Sequence, residues 1–283
     1  MKLYRLKRGV TVADRRAIGI FDSGLGGLTV VKEIVRLLPQ EDIVYFGDTG
    51  RVPYGTRSRE TICKYARQDE RFLLQRDVKL IVAACGTVSS VAADAAVDLP
   101  VPFIEVVSHS VKAAVAATQN RKIGVLGTAA TIRSGAHKRQ IRALLPDAEV
   151  VENSATLFVP LVEEGWFSAD DPVVLETVRR YVQPLSDAGV DTVILGCTHF
   201  PVLSEAICRV MGDKVTLINM GTAAALAVAE RLQKDGLETD VKTAGDHRFY
   251  VSDKAASFRE IASVLLGEDL CDGKVEQVDI NGI

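Results

Sequence analysis

Two cysteines stand where a strand would hand over to a helix. Lys79 to Ser90 reads KLIVAACGTVSS: the apolar, β-branched run Leu80 to Ala84 ends on Cys85 and passes into small polar residues suited to a helix start. Thr192 to Pro201 reads TVILGCTHFP: a second apolar run stops at Cys197, and Pro201 suits the first turn of a following helix. In open α/β sheets ligands bind just outside the carboxyl ends of strands, and a helix amino terminus there favours thiolate over thiol. Burial in a core is the ordinary fate of a single cysteine. Two in matching contexts, one followed by Thr198 and His199, point to paired chemistry.

Several chemistries fall away. Cys-x-x-Cys is absent, and the four histidines, His109, His137, His199 and His247, are scattered, so neither a local dithiol pair nor a metal site is expected. A hydrolytic Cys197–His199 pair would leave Cys85 idle. Inversion at a carbon uses both thiols: one base takes a proton from one face while a conjugate acid supplies one from the other. Cysteine, with an ordinary pKa of about 8.5, is tunable toward working pH by a dipole or a neighbouring cation.

The elements that must hold these thiols follow from periodicity. A strand from Ala17 to Phe21 leads into Asp22-Ser23-Gly24-Leu25-Gly26-Gly27-Leu28-Thr29, then a helix with Val30, Val31, Ile34, Val35 and Leu38 inward. Thr29 stands where the dinucleotide fingerprint needs glycine, and the Gly-Lys pair of the Walker sequence is missing. The turn fits either a small anion on backbone N–H groups or a simple cap by Asp22 or Ser23. A strand from Ile43 to Phe46 runs into the loop Gly47 to Gly55, and Ser58 to Arg76 is an amphipathic helix carrying Cys63. The Cys85 strand is followed by a helix from Val88 to Val97. A fourth strand, Pro102 to Val107, brings Glu105 to its exit.

The pattern then repeats. Strands are expected at Lys122 to Leu126, Ala148 to Glu152, Thr192 to Leu195, Val215 to Ile218 and Arg248 to Val251. Helices are expected after Gly127-Thr128-Ala129-Ala130-Thr131, over Leu157 to Gly165, over Pro172 to Leu185, after Asn219-Met220-Gly221-Thr222 and over Lys254 to Leu266. Glu163 and Glu164 near a helix end oppose its dipole, which raises the question of what Glu163 serves. Strict alternation of strand and helix implies an α/β fold with mostly parallel sheets flanked by helices. Two such αβ layers, with the ligand in the cleft between them, would let the two cysteines face each other.

Composition sets the outer bounds. The chain has 283 residues, 47% hydrophobic and 25% charged, with a formal charge of -3, which fits a globular enzyme and gives no reason to expect nucleic acid binding. The apolar runs are too short to span a bilayer, and five cysteines, an odd number, argue for a reducing compartment, so a cytoplasmic protein is expected. Met1 to Arg16 carries six Lys or Arg and one Asp. It reads as a solvated, frayed terminus, or as a contact for an acidic partner.

The chain resembles the cofactor-independent glutamate racemases of the aspartate/glutamate racemase superfamily. The resemblance spans roughly Ile18 to Gly221 and rests on Phe21 to Thr29, Tyr45 to Thr49, Arg51 to Gly55, Ala84-Cys85, Leu157 to Glu163 and Leu195 to His199. It implies two pseudosymmetric αβ domains, one from residues 1–107 and 222–283, the other from 108–221. It implies that Cys85 takes the α-proton of D-glutamate and Cys197 that of L-glutamate, with Asp22 assisting Cys85, and His199 and Glu163 assisting Cys197. Ser23, Pro53, Tyr54, Gly55, Gly86, Thr87, Thr128, Thr131 and Thr198 match substrate positions, together with Asp22 and His199. No cofactor is implied, and a homodimer is. His199 after Cys-Thr points to glutamate; aspartate racemases usually carry an acid there. Gly86 replaces the family's usual Asn, which removes a side-chain amide from the site. Ala155-Thr156 and Asn219-Met220 replace a frequent Cys-Pro and Asp-Ser. Some long members are reported as DNA gyrase binders, which makes a binding regulator using the basic amino terminus the alternative from another class.

Overall fold

The computed structural model describes residues 13–92, 99–253 and 274–280, together with Phe258, Ala262, Leu265, Leu266 and Gly282. The basic segment up to residue 12, the end of the helix expected at 88–97 and most of that expected at 254–266 lie outside the described residues. Arg15 and Arg16, which do fall within them, are tied by ion pairs to Asp240 at 2.8 Å and Asp14 at 2.6 Å. The end of the basic stretch is therefore docked where a frayed terminus was expected.

Among the described residues, ten strands form two wholly parallel sheets. β1 (Ile18–Asp22), β2 (Ile43–Gly47), β3 (Leu80–Ala83), β4 (Phe103–Glu105), β9 (His247–Val251) and β10 (Lys274–Gln277) make a six-stranded sheet in the order β10-β9-β2-β1-β3-β4. β5 (Lys122–Gly127), β6 (Glu149–Ser154), β7 (Thr192–Gly196) and β8 (Thr216–Asn219) make a four-stranded sheet in the order β6-β5-β7-β8. The central strands β1, β2, β3 and β7 are buried at every residue, which is why they read as unbroken apolar runs with no alternation.

Helices α1 (Leu28–Leu37), α4 (Val106–Ala117), α6 (Ala136–Leu144) and α10 (Met220–Asp235) share one core that reaches both sheets. α2 (Arg59–Leu74) and α3 (Gly86–Val91) cover the outer face of the larger sheet. α7 (Phe158–Glu163), α8 (Pro172–Asp187) and α9 (Ser204–Met211) cover that of the smaller one, and α5 (Ala129–Ser134) follows β5. Each fully buried Leu, Ile, Val or Phe in these layers contributes about 1.5–3 kcal/mol.

Two local readings change. The strand expected over Pro102 to Val107 is cut to β4 because the Glu105 carboxylate accepts from the N–H groups of Val107 at 2.7 Å and Ser108 at 2.9 Å, which caps α4 and starts the helix at Val106. β10 was not anticipated at all. Its Lys-Val-Glu-Gln sequence has one apolar residue, as an edge strand permits.

Candidate active site

The catalytic geometry is built at strand ends. Cys85 follows β3 and is the N-cap residue of α3, and Cys197 follows β7. Both are buried, and both line one cavity of about 350 Å³. Ser23 after β1, Thr128 after β5 and Ala155-Thr156 after β6 reach the same space, so three further strand ends converge on it with the loop Val52 to Thr56. The parallel sheets make this possible, since they aim all their carboxyl ends one way.

On the Cys85 side, Sγ donates to Ser23 Oγ at 3.4 Å. Asp22 is fully buried behind this wall: Oδ2 accepts the Gly24 N–H at 3.0 Å, and Oδ1 accepts Thr198 Oγ1 at 3.4 Å. Burial raises the Asp22 carboxyl, opposed by the His199 charge and by the N–H groups of Gly27, Gly24 and Ser23. Cys85 is pushed up to about 12, first by burial and next by the charge of Asp22. The hydrogen bond to Ser23 and the Val88 N–H of α3 oppose this and lose. The helix start was expected to ease ionisation here; one short helix does not outweigh a dry site beside a carboxyl, and the thiol is protonated at neutral pH.

The Cys197 side is built differently. His199 Nδ1 lies 3.7 Å from Cys197 Sγ, and its Nε2 lies 3.2 Å from Glu163 Oε1. Burial alone would lower His199, but the bonds to Cys197 and Glu163 and the negative charge on both carry it to about 10. It is therefore an imidazolium at neutral pH, wedged between a sulfur and a carboxylate. This answers why Glu163 sits at a helix end: α7 delivers it to a cation 36 residues away in sequence.

Close backbone approach joins the halves. A Cβ at Gly86 would lie 2.5 Å from the Gly196 carbonyl oxygen and 3.1 Å from Met220 Cε; one at Gly26 would lie 2.3 Å from Thr198 Oγ1 and 2.6 Å from His199 Nδ1. Glycine at both positions lets the two cysteine turns meet. Thr87 Oγ1 and Thr128 Oγ1 are 3.1 Å apart, and Thr29 Oγ1 donates to the Thr198 carbonyl at 2.9 Å.

The expected site residues come together. Ser23, Pro53, Tyr54, Gly55, Cys85, Gly86, Thr87, Thr128, Glu163, Cys197, Thr198 and His199 all line the cavity. Asp22 and Thr131 do not, and stand one layer behind it; Thr131 is fully buried and its Oγ1 accepts from Thr128 Oγ1 at 3.0 Å. Val52, Thr56, Ala129, Ala155, Thr156, Val159 and Pro160 line it as well and were not expected as substrate positions. Most are apolar and announce no chemistry, though Ala155-Thr156, noted in the sequence only as a departure from the family, follows a strand as Cys85 does. Among the described residues, neither Lys nor Arg lines the cavity. Among the described residues no group of three or more His, Cys, Asp or Glu is placed to hold a metal ion, and no helix is long and apolar enough to cross a membrane.

The family model described as Asp/Glu/Hydantoin racemase matches residues 18–228. The chain belongs to this racemase family. The glutamate racemase of Geobacter metallireducens is 45% identical over 94% of this chain and 97% of its own length. Among solved structures, a glutamate racemase isoform from Bacillus anthracis has a TM-score of 0.89 at 35% identity, covering 94% of this chain and 98% of that one. The glutamate racemase of Francisella tularensis in complex with D-glutamate has a TM-score of 0.87 at 36% identity, covering 95% and 100%. Membership of the racemase family also gives the two parallel sheets a common frame with these enzymes.

Proposed function

We propose that this chain interconverts L- and D-glutamate by direct proton transfer at the α-carbon, with two cysteines as the two bases and without pyridoxal phosphate. The observation that carries the reading is one cavity with a thiol on each wall, Cys85 bonded to Ser23 and under the charge of Asp22, and Cys197 beside His199. The glutamate racemases to which the chain is 35–45% identical support the substrate.

In the L to D direction Cys197, as thiolate, takes the α-proton and becomes a thiol. Cys85 gives its proton to the opposite face and becomes the thiolate. The reverse reaction exchanges the roles, so Cys85 takes the α-proton of D-glutamate. His199 and Glu163 hold negative charge at Cys197, and Asp22 assists proton movement at Cys85. Charge grows on the substrate carboxylate as the α-proton leaves. With no Lys or Arg on the wall, hydroxyl and N–H donors at the starts of α3 and α5 and at Ser23, Thr87 and Thr198 must carry it.

The reading extends to organisation and role. Residues 1–107 and 222–283 form one αβ unit and 108–221 the other, which the assortment of strands between the two sheets supports. Two copies form a homodimer, as the resemblance implies, and the cytoplasmic D-glutamate produced supplies peptidoglycan. A chiral assay of the purified protein with L-glutamate and L-aspartate, without added pyridoxal phosphate, ATP or metal, tests the substrate. Glutamate turns over and aspartate does so far more slowly; the reverse order would make it an aspartate racemase.

A further inference from the structure

Behind the loop that forms one wall of the cavity lies a cluster that the reaction does not use. Asp48, after β2, and Asp69, on α2, are both fully buried. Arg51 reaches each, through Nε to Asp48 Oδ2 at 2.5 Å and through Nη2 to Asp69 Oδ1 at 3.2 Å. The Tyr54 hydroxyl touches both carboxyls as well: Asp48 Oδ2 closely, and Asp69 Oδ2 at 3.1 Å. Ser252 Oγ donates to Asp48 Oδ1 at 2.8 Å, and Gln68 Oε1 accepts from Arg51 Nη1 at 2.6 Å.

Proton counting is decisive here. A phenol has one hydrogen, and the shorter contact assigns it to Asp48. The second contact then joins the phenol oxygen to a carboxyl oxygen, two acceptors, and is a hydrogen bond only when Asp69 itself supplies a proton. Charge leads to the same place. Two buried carboxylates face one guanidinium, and an extra unpaired charge in a dry site is strongly disfavoured, a cost that a bound proton removes. Burial first, and then the charge of Asp48, drives Asp69 well above the usual carboxylate range, with neighbouring Glu70 adding to it and Arg51 and Tyr54 opposing.

We propose that Asp69 is a positioning residue that holds a proton and donates it to the Tyr54 hydroxyl, fixing the Pro53–Gly55 wall of the substrate cavity through the chain Asp69, Tyr54, Asp48, Arg51. Tyr54 is buried to 1% exposure with its hydroxyl on Asp48 and Asp69, so it anchors the stretch Pro53 to Gly55, which lines the cavity. α2 is thereby linked to the site through Asp69 and Gln68, and the turn after β9 through Ser252. The functional consequence, though not the protonation, rests on the glutamate reading above.

Two variants and one spectrum test this on the full-length protein. Asp69→Asn keeps a donor for Tyr54 and an acceptor for Arg51, and leaves KM for glutamate within about twofold of wild type; Asp69→Leu removes both and raises KM about tenfold with a smaller change in kcat. The infrared difference between wild type and Asp69→Asn at neutral pH contains the C=O stretch of a protonated carboxyl. An ionised-carboxylate pair in that spectrum overturns the proposal, as does an Asp69→Asn variant as impaired as Asp69→Leu, or an Asp69→Leu variant with wild-type KM. If Asp69→Leu does not fold, Asp69→Asn and the spectrum still decide. Wild-type protein inactive on glutamate would sink the substrate reading and leave the spectral result standing.

Discussion

The two thiols occupy equivalent places, each at the carboxyl end of a parallel strand, yet the protein surrounds them with opposite charge. Cys85 has a buried carboxyl, Asp22, behind its wall and a neutral hydroxyl, Ser23, beside it, and its pKa is pushed up to about 12. Cys197 shares its wall with an imidazolium held by Glu163. The fold repeats itself while the electrostatics do not. The two-base reading proposed above needs one thiol loaded with a proton, and burial together with the Asp22 charge keeps one on Cys85.

Removing either thiol breaks the pairing most severely. Cys85→Ala and Cys197→Ala each lower racemisation by about 10⁴-fold, the upper end for a general acid–base group, in a circular-dichroism assay of either enantiomer. Substantial turnover surviving in one of them would leave a single base sufficient. Driving the halves apart comes next. Gly86→Asn puts a Cβ on the Gly196 carbonyl, and the shift needed to relieve it lowers kcat/KM about 100-fold, the scale of a 1 Å misplacement.

Weakening the charge on one side alone sharpens the contrast. Glu163→Gln takes a negative charge from His199, lowers its pKa from about 10 and cuts kcat about tenfold, read by NMR titration of the imidazole and by a pH–rate profile whose shape changes. An unmoved His199 titration would mean that Glu163 does not hold the cation.

The smallest effects are on stability, where two buried histidines differ as the two thiols do. His199 has partners and a raised value, so its contribution is fully present below pH 6.5 and is lost as pH rises through about 10. His137 is fully buried with neither ring nitrogen partnered among the described residues, and burial lowers it to about 4. Its folded state prefers the neutral ring, so stability is lost as pH falls from 6.5 through about 4, by a term on the order of 3 kcal/mol. Thermal melts should show His137→Leu flattening the acid limb and leaving the alkaline limb unchanged.

How much of this was legible in the sequence depends on how local its cause is. Strand-end cysteines, the glycine turn at Asp22 to Thr29 and the alternation of strand and helix are written in adjacent residues, and the two parallel sheets follow from them. Glu105 looked like a strand-exit carboxylate because its cap bonds form only once the chain turns at Val106. β10 was missed because an edge strand carries little apolar signal. The protonated state of Cys85 was misread since burial and the approach of Asp22 are tertiary facts, and a helix start is visible in sequence while a dry pocket is not. Thr131 and Asp22 were placed at the substrate, and packing sets them one layer back. The Asp48, Tyr54 and Asp69 cluster joins a loop to a helix across a gap that no motif spans.

The central claim is that the proton leaving one face and the proton arriving on the other belong to different thiols. L-glutamate incubated with the protein in D₂O, and followed at early conversion by mass spectrometry after chiral separation, tests it directly. The account predicts D-glutamate carrying deuterium at the α-carbon while the remaining L-glutamate still carries protium. Protium retained in the product, or deuterium entering the L pool as fast as product forms, would contradict it, because either result requires one group to serve both faces.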